Sequence, residues 1–467
     1  VLKESRFHGM MKIVTVLALL PILAKGQGNT SSTATTTTFP VCPEHGEPKW
    51  FQPATSTSSD FNVPALIPSA GAMDPDGKMW VYGGKDDLDT AFGVEWFNHL
   101  YYLDTKARAW HLVAPHEKNV QSRDGASMVI VDGNPWIFGG RILAGWGDPL
   151  DSVLVYDVQR EEFFYGTPDW ESIALQAFHH TAVQKDGKMW VFGGIMLQSP
   201  DVLLPNNVYC LDTTGITKAG DFEFSWVEIT GSGDDDPYFG DKPRPMFSHT
   251  AAIGPDGRMW IFGGHLADAR LSQGLHAFNL ETHVWTRVDR TLPGGDYPFQ
   301  YQHSAAFLDC KMWIFGGFVE GTVGDAGGIR NTLLSFDIQT ETWANVALTG
   351  GPGNVTQHLG VMGSNGMWIY GGYGIGGVKS DVHFLEIIST TTTTTTASTT
   401  TMTTITGTTI TGTTITGTTS TQTTRTMTAT STSSITNSTG EDEESNSARA
   451  ECVAKLLVSL VGMVSCF

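Results

Sequence analysis

Six short apolar runs punctuate the middle of the chain, and each ends in a pair of glycines. They are Met79-Trp80-Val81-Tyr82 before Gly83-Gly84, Pro135-Trp136-Ile137-Phe138 before Gly139-Gly140, and Met189-Trp190-Val191-Phe192 before Gly193-Gly194. Met259-Trp260-Ile261-Phe262 precedes Gly263-Gly264, Met312-Trp313-Ile314-Phe315 precedes Gly316-Gly317, and Met367-Trp368-Ile369-Tyr370 precedes Gly371-Gly372. The runs lack polar alternation, as expected of strands buried on both faces. A small-residue strand lies upstream of each, such as His249-Thr250-Ala251-Ala252 or His303-Ser304-Ala305-Ala306. Between the two sits a tight turn, Asp186-Gly187 or Pro255-Asp256-Gly257, where glycine supplies the positive φ of a short hairpin.

Downstream, a third strand is expected to end near Asp104, Asp157, Asp212, Asn279 or Asp337. Six residues after four of these stands a large aromatic: Trp110, Phe163, Trp285 and Trp343. In the third copy an insertion delays it to Trp226. The first glycines of the pairs step by 56, 54, 70, 53 and 55 residues, room for four short strands and their turns. A period of about fifty residues signals radial repetition of one antiparallel unit.

The paired glycines after an apolar strand, with the later Trp, resemble the kelch-repeat family over Trp50 to Ile388. The resemblance implies an all-β fold, a six-bladed kelch β-propeller closed by an N-terminal strand. Trp50 stands alone before the first copy, and the sixth copy lacks a Trp of its own. Trp50 is therefore expected on the outer strand of the last blade, which pairs two otherwise exposed edges. Two copies depart from the pattern. The second has Ala126 where four others have His, and Phe163 for Trp; the first has Ser69.

Composition divides the chain. Residues 1–28 read as upstream residues plus a signal peptide, with Met11-Lys12 leading the apolar stretch Ile13 to Leu23. Residues 29–41 form a Thr-rich linker, 42–388 the propeller, and 389–440 a Thr/Ser-rich mucin-like stalk expected to stay unfolded. Residues 441–467 are an acidic spacer and hydrophobic tail; their order resembles a GPI-attachment signal, with a plain hydrophobic tail as the alternative. The expected setting is extracellular or at the cell surface. Asn29, Asn354 and Asn437 open N-glycosylation sequons suited to that compartment.

A net charge of −20 and the lack of a basic run in the folded region argue against nucleic acid. The five cysteines form no CxxC pair, so a Cys-built zinc site is not supported, and stability is not expected to rest on disulfides. No cofactor is called for. Any membrane contact is expected only through a C-terminal anchor, and the propeller is expected to be monomeric.

Antiparallel strands sort the connections onto two faces. One carries tight turns; the other carries long, dissimilar loops, and there we place the candidate binding residues. They are Asp86, Asp87, Phe92, Trp96, Trp146, Asp234, Asp235, Asp236 and Tyr238, aromatics among polar groups that suit a protein or carbohydrate ligand. Filling of gaps between blades is the competing role for these aromatics. Acidic loops could attract Ca²⁺, but no spaced Asp loop with a terminal Glu occurs, and solvation is the preferred reading. His180, His249, His303 and His358 recur at matching positions; hydrogen bonding to backbone between blades is preferred over metal binding. No catalytic residue is nominated. The alternative, a propeller enzyme acting on a small molecule (mutarotase-like or metal-assisted), rests on fold analogy alone.

Overall fold

The computed structural model describes residues 43–57, 63–87, 94–113, 120–142, 149–173, 175–198, 201–216, 220–234, 240–268, 270–272, 274–288, 299–320 and 327–390. Among them there is no helix. The strands form six main sheets, each built around four antiparallel strands, with smaller sheets beside them.

The first main sheet runs outward from Ala70–Met73 through Lys78–Lys85 and Trp96–Asp104 to Ala109–Val113. The second comprises Ser127–Val131, Asn134–Phe138, Val153–Asp157 and Glu162–Pro168. Thr181–Lys185, Lys188–Phe192, Val208–Asp212 and Val227–Ile229 make the third. The fourth is Thr250–Ile253, Met259–Phe262, Leu275–Phe278 and Trp285–Val288. The fifth is Ser304–Leu308, Lys311–Phe315, Leu333–Asp337 and Thr342–Val346. In the sixth, Leu359–Gly363, Gly366–Tyr370 and Val382–Glu386 are joined by Lys49–Phe51, with Trp50 opposite Leu385.

Local chemistry explains the turns. At the end of the third strand in the first five sheets the same device recurs: a side-chain oxygen accepts backbone N–H bonds from the turn it opens. Asp104 Oδ1 takes Lys106 and Ala107, Asp157 Oδ1 takes Gln159 and Arg160, and Asp337 Oδ1 takes Gln339 and Thr340. Asn279 Oδ1 does the same for Glu281 and Thr282, and Asp212 Oδ1 holds Thr214. This Asx turn is why an Asp or Asn stands six residues before the outer aromatic.

Packing between sheets accounts for the rest of the repeat. Inner strands lie side by side in chain order, and that of the sixth sheet packs against that of the first. The aromatic just before five of the six glycine pairs is covered by the outer Trp of the following sheet; for Tyr82 the following sheet has Phe163 at that position. Trp226 sits 4.7 Å from Phe138, Trp285 5.2 Å from Phe192, Trp343 5.2 Å from Phe262, and Trp50 4.9 Å from Phe315. Trp110 of the first sheet completes the series, 4.8 Å from Tyr370 of the sixth. The glycines are needed there: at Gly263 φ is +66°, and a Cβ would lie 2.2 Å from the Gln300 carbonyl oxygen of the next sheet.

Candidate functional site

The recurring histidines line the seams between sheets. Their Nε2 atoms pair with a hydroxyl of the preceding inner strand: Ser127 with His180, Thr181 with His249, Thr250 with His303 and Ser304 with His358, at 2.7–2.8 Å. The partner at Nε2 is thus a side-chain hydroxyl, and His180 has in addition a backbone bond to Ala177. Burial drives all four imidazole pKa values down to about 3, so the rings are neutral near pH 7. Among the described residues no group of three or more His, Cys, Asp or Glu side chains is placed to hold a metal ion.

The two seams without this His are the two whose preceding sheet ends in Tyr rather than Phe. Tyr82 Oη donates to the Gln121 carbonyl, facing the sheet that carries Ala126, and Tyr370 Oη donates to Pro64, before Ser69. Each bond is 2.7 Å. The phenol supplies the cross-sheet hydrogen bond that the missing imidazole would have made.

The residue before each His lies at the inner end of the long-loop face. His179, Ser248, Gln302 and Gln357 all take φ of 53–55°, a left-handed conformation unusual outside glycine. His179 N–H donates to Gly125 O, Ser248 to His179, Gln302 to Ser248 and Gln357 to Gln302, at 2.7–3.0 Å. The circuit stops at Pro68, which occupies this position in the first sheet and has no N–H. These residues border a small cavity of about 160 Å³. A larger one, about 1430 Å³, is lined by all six inner strands, among them Ala72, Val129, Ala182, Ala251, Ala305 and Gly360, and reaches the tight turns of the other face.

Each long loop is fastened where it leaves its glycine pair. The residue after the pair bridges to the connector entering the same sheet: Lys85 to Ile67, Arg141 to Asp124, Ile195 to Phe178, His265 to Phe247, Phe318 to Tyr301 and Tyr373 to Thr356. Loops expected to be open therefore begin as short hairpins, including Ile195–Gln198 with Asp201–Leu203 and Tyr373–Gly374 with Gly377–Val378. This ring of bridges holds a side-chain cluster that sequence reading missed. Buried Asp124 meets Lys85 Nζ at 3.3 Å and Arg141 Nη2 at 3.0 Å. Burial pushes its carboxyl up, but the two cations outweigh that and hold it well below the usual carboxylate range. Lys85 Nζ also stands 5.1 Å over the Trp96 ring, and the Arg141 guanidinium 5.1 Å over Phe178. The only sequence signal was positional: the residue after Gly-Gly and the residue two before the His position.

Of the predicted binding residues, Trp96 joins this cluster half-buried. Asp86 is exposed, and its carboxylate accepts a bond from Glu95 N–H at 2.8 Å. Asp87 and Asp234 are exposed on separate loops. Phe92, Trp146, Asp235, Asp236 and Tyr238 lie outside the described residues, as do Asn29 and Asn437. Asn354 is half-buried, and Thr356 of its sequon is buried. Trp170, 90 % exposed, and Ile375, 74 % exposed, are the most solvent-exposed large apolar side chains described, and both lie on long-loop connections.

Cys310 is disulfide-bonded. Cys210 is free and buried, and burial pushes its thiol pKa up to about 11.

Antiparallel sheets whose inner strands pack side by side, with an aromatic–Gly-Gly second strand covered in five of six cases by the next sheet's Trp, are those of a β-propeller of kelch type. The chain belongs to the KLHDC2/KLHL20/DRC7 Kelch-repeats domain family, which matches residues 43–237 and, overlapping, 179–416. It is similar to Host cell factor of Drosophila melanogaster, 25% identical over 290 residues, 58% of this chain and 18% of that protein. Kelch domain-containing protein 3 of Rattus norvegicus is 30% identical over 133 residues, covering 28% of this chain and 32% of its own length. Multiple epidermal growth factor-like domains protein 8 of Mus musculus is 26% identical over 242 residues, 50% of this chain and 7% of that protein. The chain spans a third or less of each of these relatives.

Proposed function

We propose that the six main sheets are the blades of one closed propeller, and that it serves as an extracellular recognition module. Its long-loop face would hold a protein or glycan partner. Closure is supported by the seam between the last sheet and the first, where Trp110 packs on Tyr370 and Gly372 N–H donates to Leu66 O at 3.0 Å. The observation that carries the binding reading is the sixfold fastening of loops to connectors. It gives one face a stiff rim from which dissimilar loops project, so less order need be gained on binding. Exposed Trp170 and Ile375 offer apolar contact area there. The Cys310 disulfide supports export, because such bonds persist in oxidising compartments.

The test is affinity capture by the full chain from native secreted and cell-surface material, with a Trp96→Ala/Trp146→Ala variant in parallel. A partner retained by the wild type and lost by the variant, with unchanged circular dichroism, is the expected result. Equal capture by both would remove these two residues from the site.

A further inference from the structure

The two-residue turn between inner and second strands carries Asp132-Gly133 in the second sheet and Asp186-Gly187 in the third, but Asp309-Cys310 in the fifth. Glycine suits that corner, with φ of +77° at Gly133 and +70° at Gly187. A cysteine has no such advantage, so its sulfur is the feature to explain. Cys310 is disulfide-bonded and buried, while Cys210 is free. With five cysteines in the chain, the partner is Cys42, Cys452 or Cys466, all outside the described residues.

Neighbouring contacts discriminate among them. Asp309, adjacent to Cys310, accepts a bond from Ser389 Oγ at 2.6 Å and faces His45 Nε2 at 3.9 Å. Glu44–His45 pairs with Ser389–Thr390, and Gly46 N–H donates to Ile388 O. The His45 ring stands edge-on to Trp313 of the fifth sheet, 5.6 Å between centroids. The N-terminal segment therefore passes within side-chain reach of the turn bearing Cys310. Cys42 is three residues upstream of His45, a span of at most about 10 Å of extended chain. Cys452 and Cys466 follow Thr390 by 62 and 76 residues, a longer and entropically costlier closure.

We infer that Cys42 and Cys310 form a disulfide that latches the N-terminal segment onto the fifth sheet and so retains Lys49–Phe51 as the outer strand of the sixth. That strand has only three residues and comes from the far end of the chain, the kind of edge that frays first. The cross-link closes a loop of about 270 residues and withdraws much freedom from the unfolded chain. Its formation consumes two thiols, which release two protons and pass two electrons to a disulfide-bearing oxidant, itself reduced to a dithiol. A thiol reductant reverses the step. The inference stands whether or not the long-loop face binds a partner.

Two measurements on the full chain, secreted from cultured cells, test it. Mass spectrometry of a non-reduced digest should give a linked pair joining the Cys42 and Cys310 peptides, which separates on reduction. Cys310 joined to Cys452 or Cys466, or found as a free thiol, would overturn the pairing. Hydrogen exchange reads the latch itself. Reduction should speed exchange at least tenfold in Lys49–Phe51 and the facing Val382–Glu386, leaving Met259–Phe262 unmoved. A Cys42→Ser variant should show the same loss without reductant. Protection of Lys49–Phe51 that survives both reduction and Cys42→Ser would contradict the latch.

Discussion

Before four of the glycine pairs stands a Phe ring shared by two neighbours, a Trp on one side and a His on the other, as Phe262 lies between Trp343 and His303. Where the His is absent, a Tyr hydroxyl crosses the seam instead. Tyr82→Phe should therefore cost about 1 kcal/mol in chemical denaturation. At Phe192 the position across the seam is filled by the His249 ring, edge-on at 5.4 Å between centroids. The buried imidazoles also set a pH response. Each is held neutral down to about pH 3 in the folded chain but takes a proton near 6.5 when unfolded. Their contribution is complete above pH 6.5 and is lost as pH falls from there toward 3. Carboxylates with depressed values, such as Asp124, act only below about 3.8 and do not share the upper part of that window. Thermal midpoints measured between pH 7 and 4 should fall steadily, and a His249→Gln variant should fall less steeply.

Strand runs, paired glycines, Asp-Gly turns and the Trp spacing were all legible because they depend on residues close in sequence. The place of Trp50 on the outer strand of the sixth sheet was also expected, from the missing Trp of the sixth copy; its register opposite Leu385 was not. What escaped notice depends on distant partners. The hydroxyl that meets each His lies 53 to 68 residues away, and nothing local distinguishes it from any other Ser or Thr. The insertion before Trp226 folds in part as Phe222–Phe224, a parallel strand on the outer edge of the second sheet beside Gly166 to Pro168. Three residues are too few to show an alternation, so periodicity could not find them. Ser56–Thr57 likewise covers the outer edge of the first sheet beside Ala109 and Trp110. The Lys85–Asp124–Arg141 cluster was hidden for the same reason, since its members come from two sheets.

At the scale of the whole molecule, the proposed closed propeller is joined through the N-terminal strand Lys49–Phe51 in the sixth sheet, and its long-loop face is left to present the loops. Recognition through that face is the central claim. Placing a photo-reactive residue at one position at a time in the full chain tests it most directly: Trp170 or Ile375 on the long-loop face, Lys106 or Asp132 on the tight-turn face. All four are exposed, so the substitutions leave the core intact. After irradiation with native secreted and cell-surface material, covalent partner adducts should form at Trp170 or Ile375 and not at the other two. Adducts at Lys106 or Asp132, with none at Trp170 and Ile375, would contradict the account and move the site to the opposite mouth of the cavity.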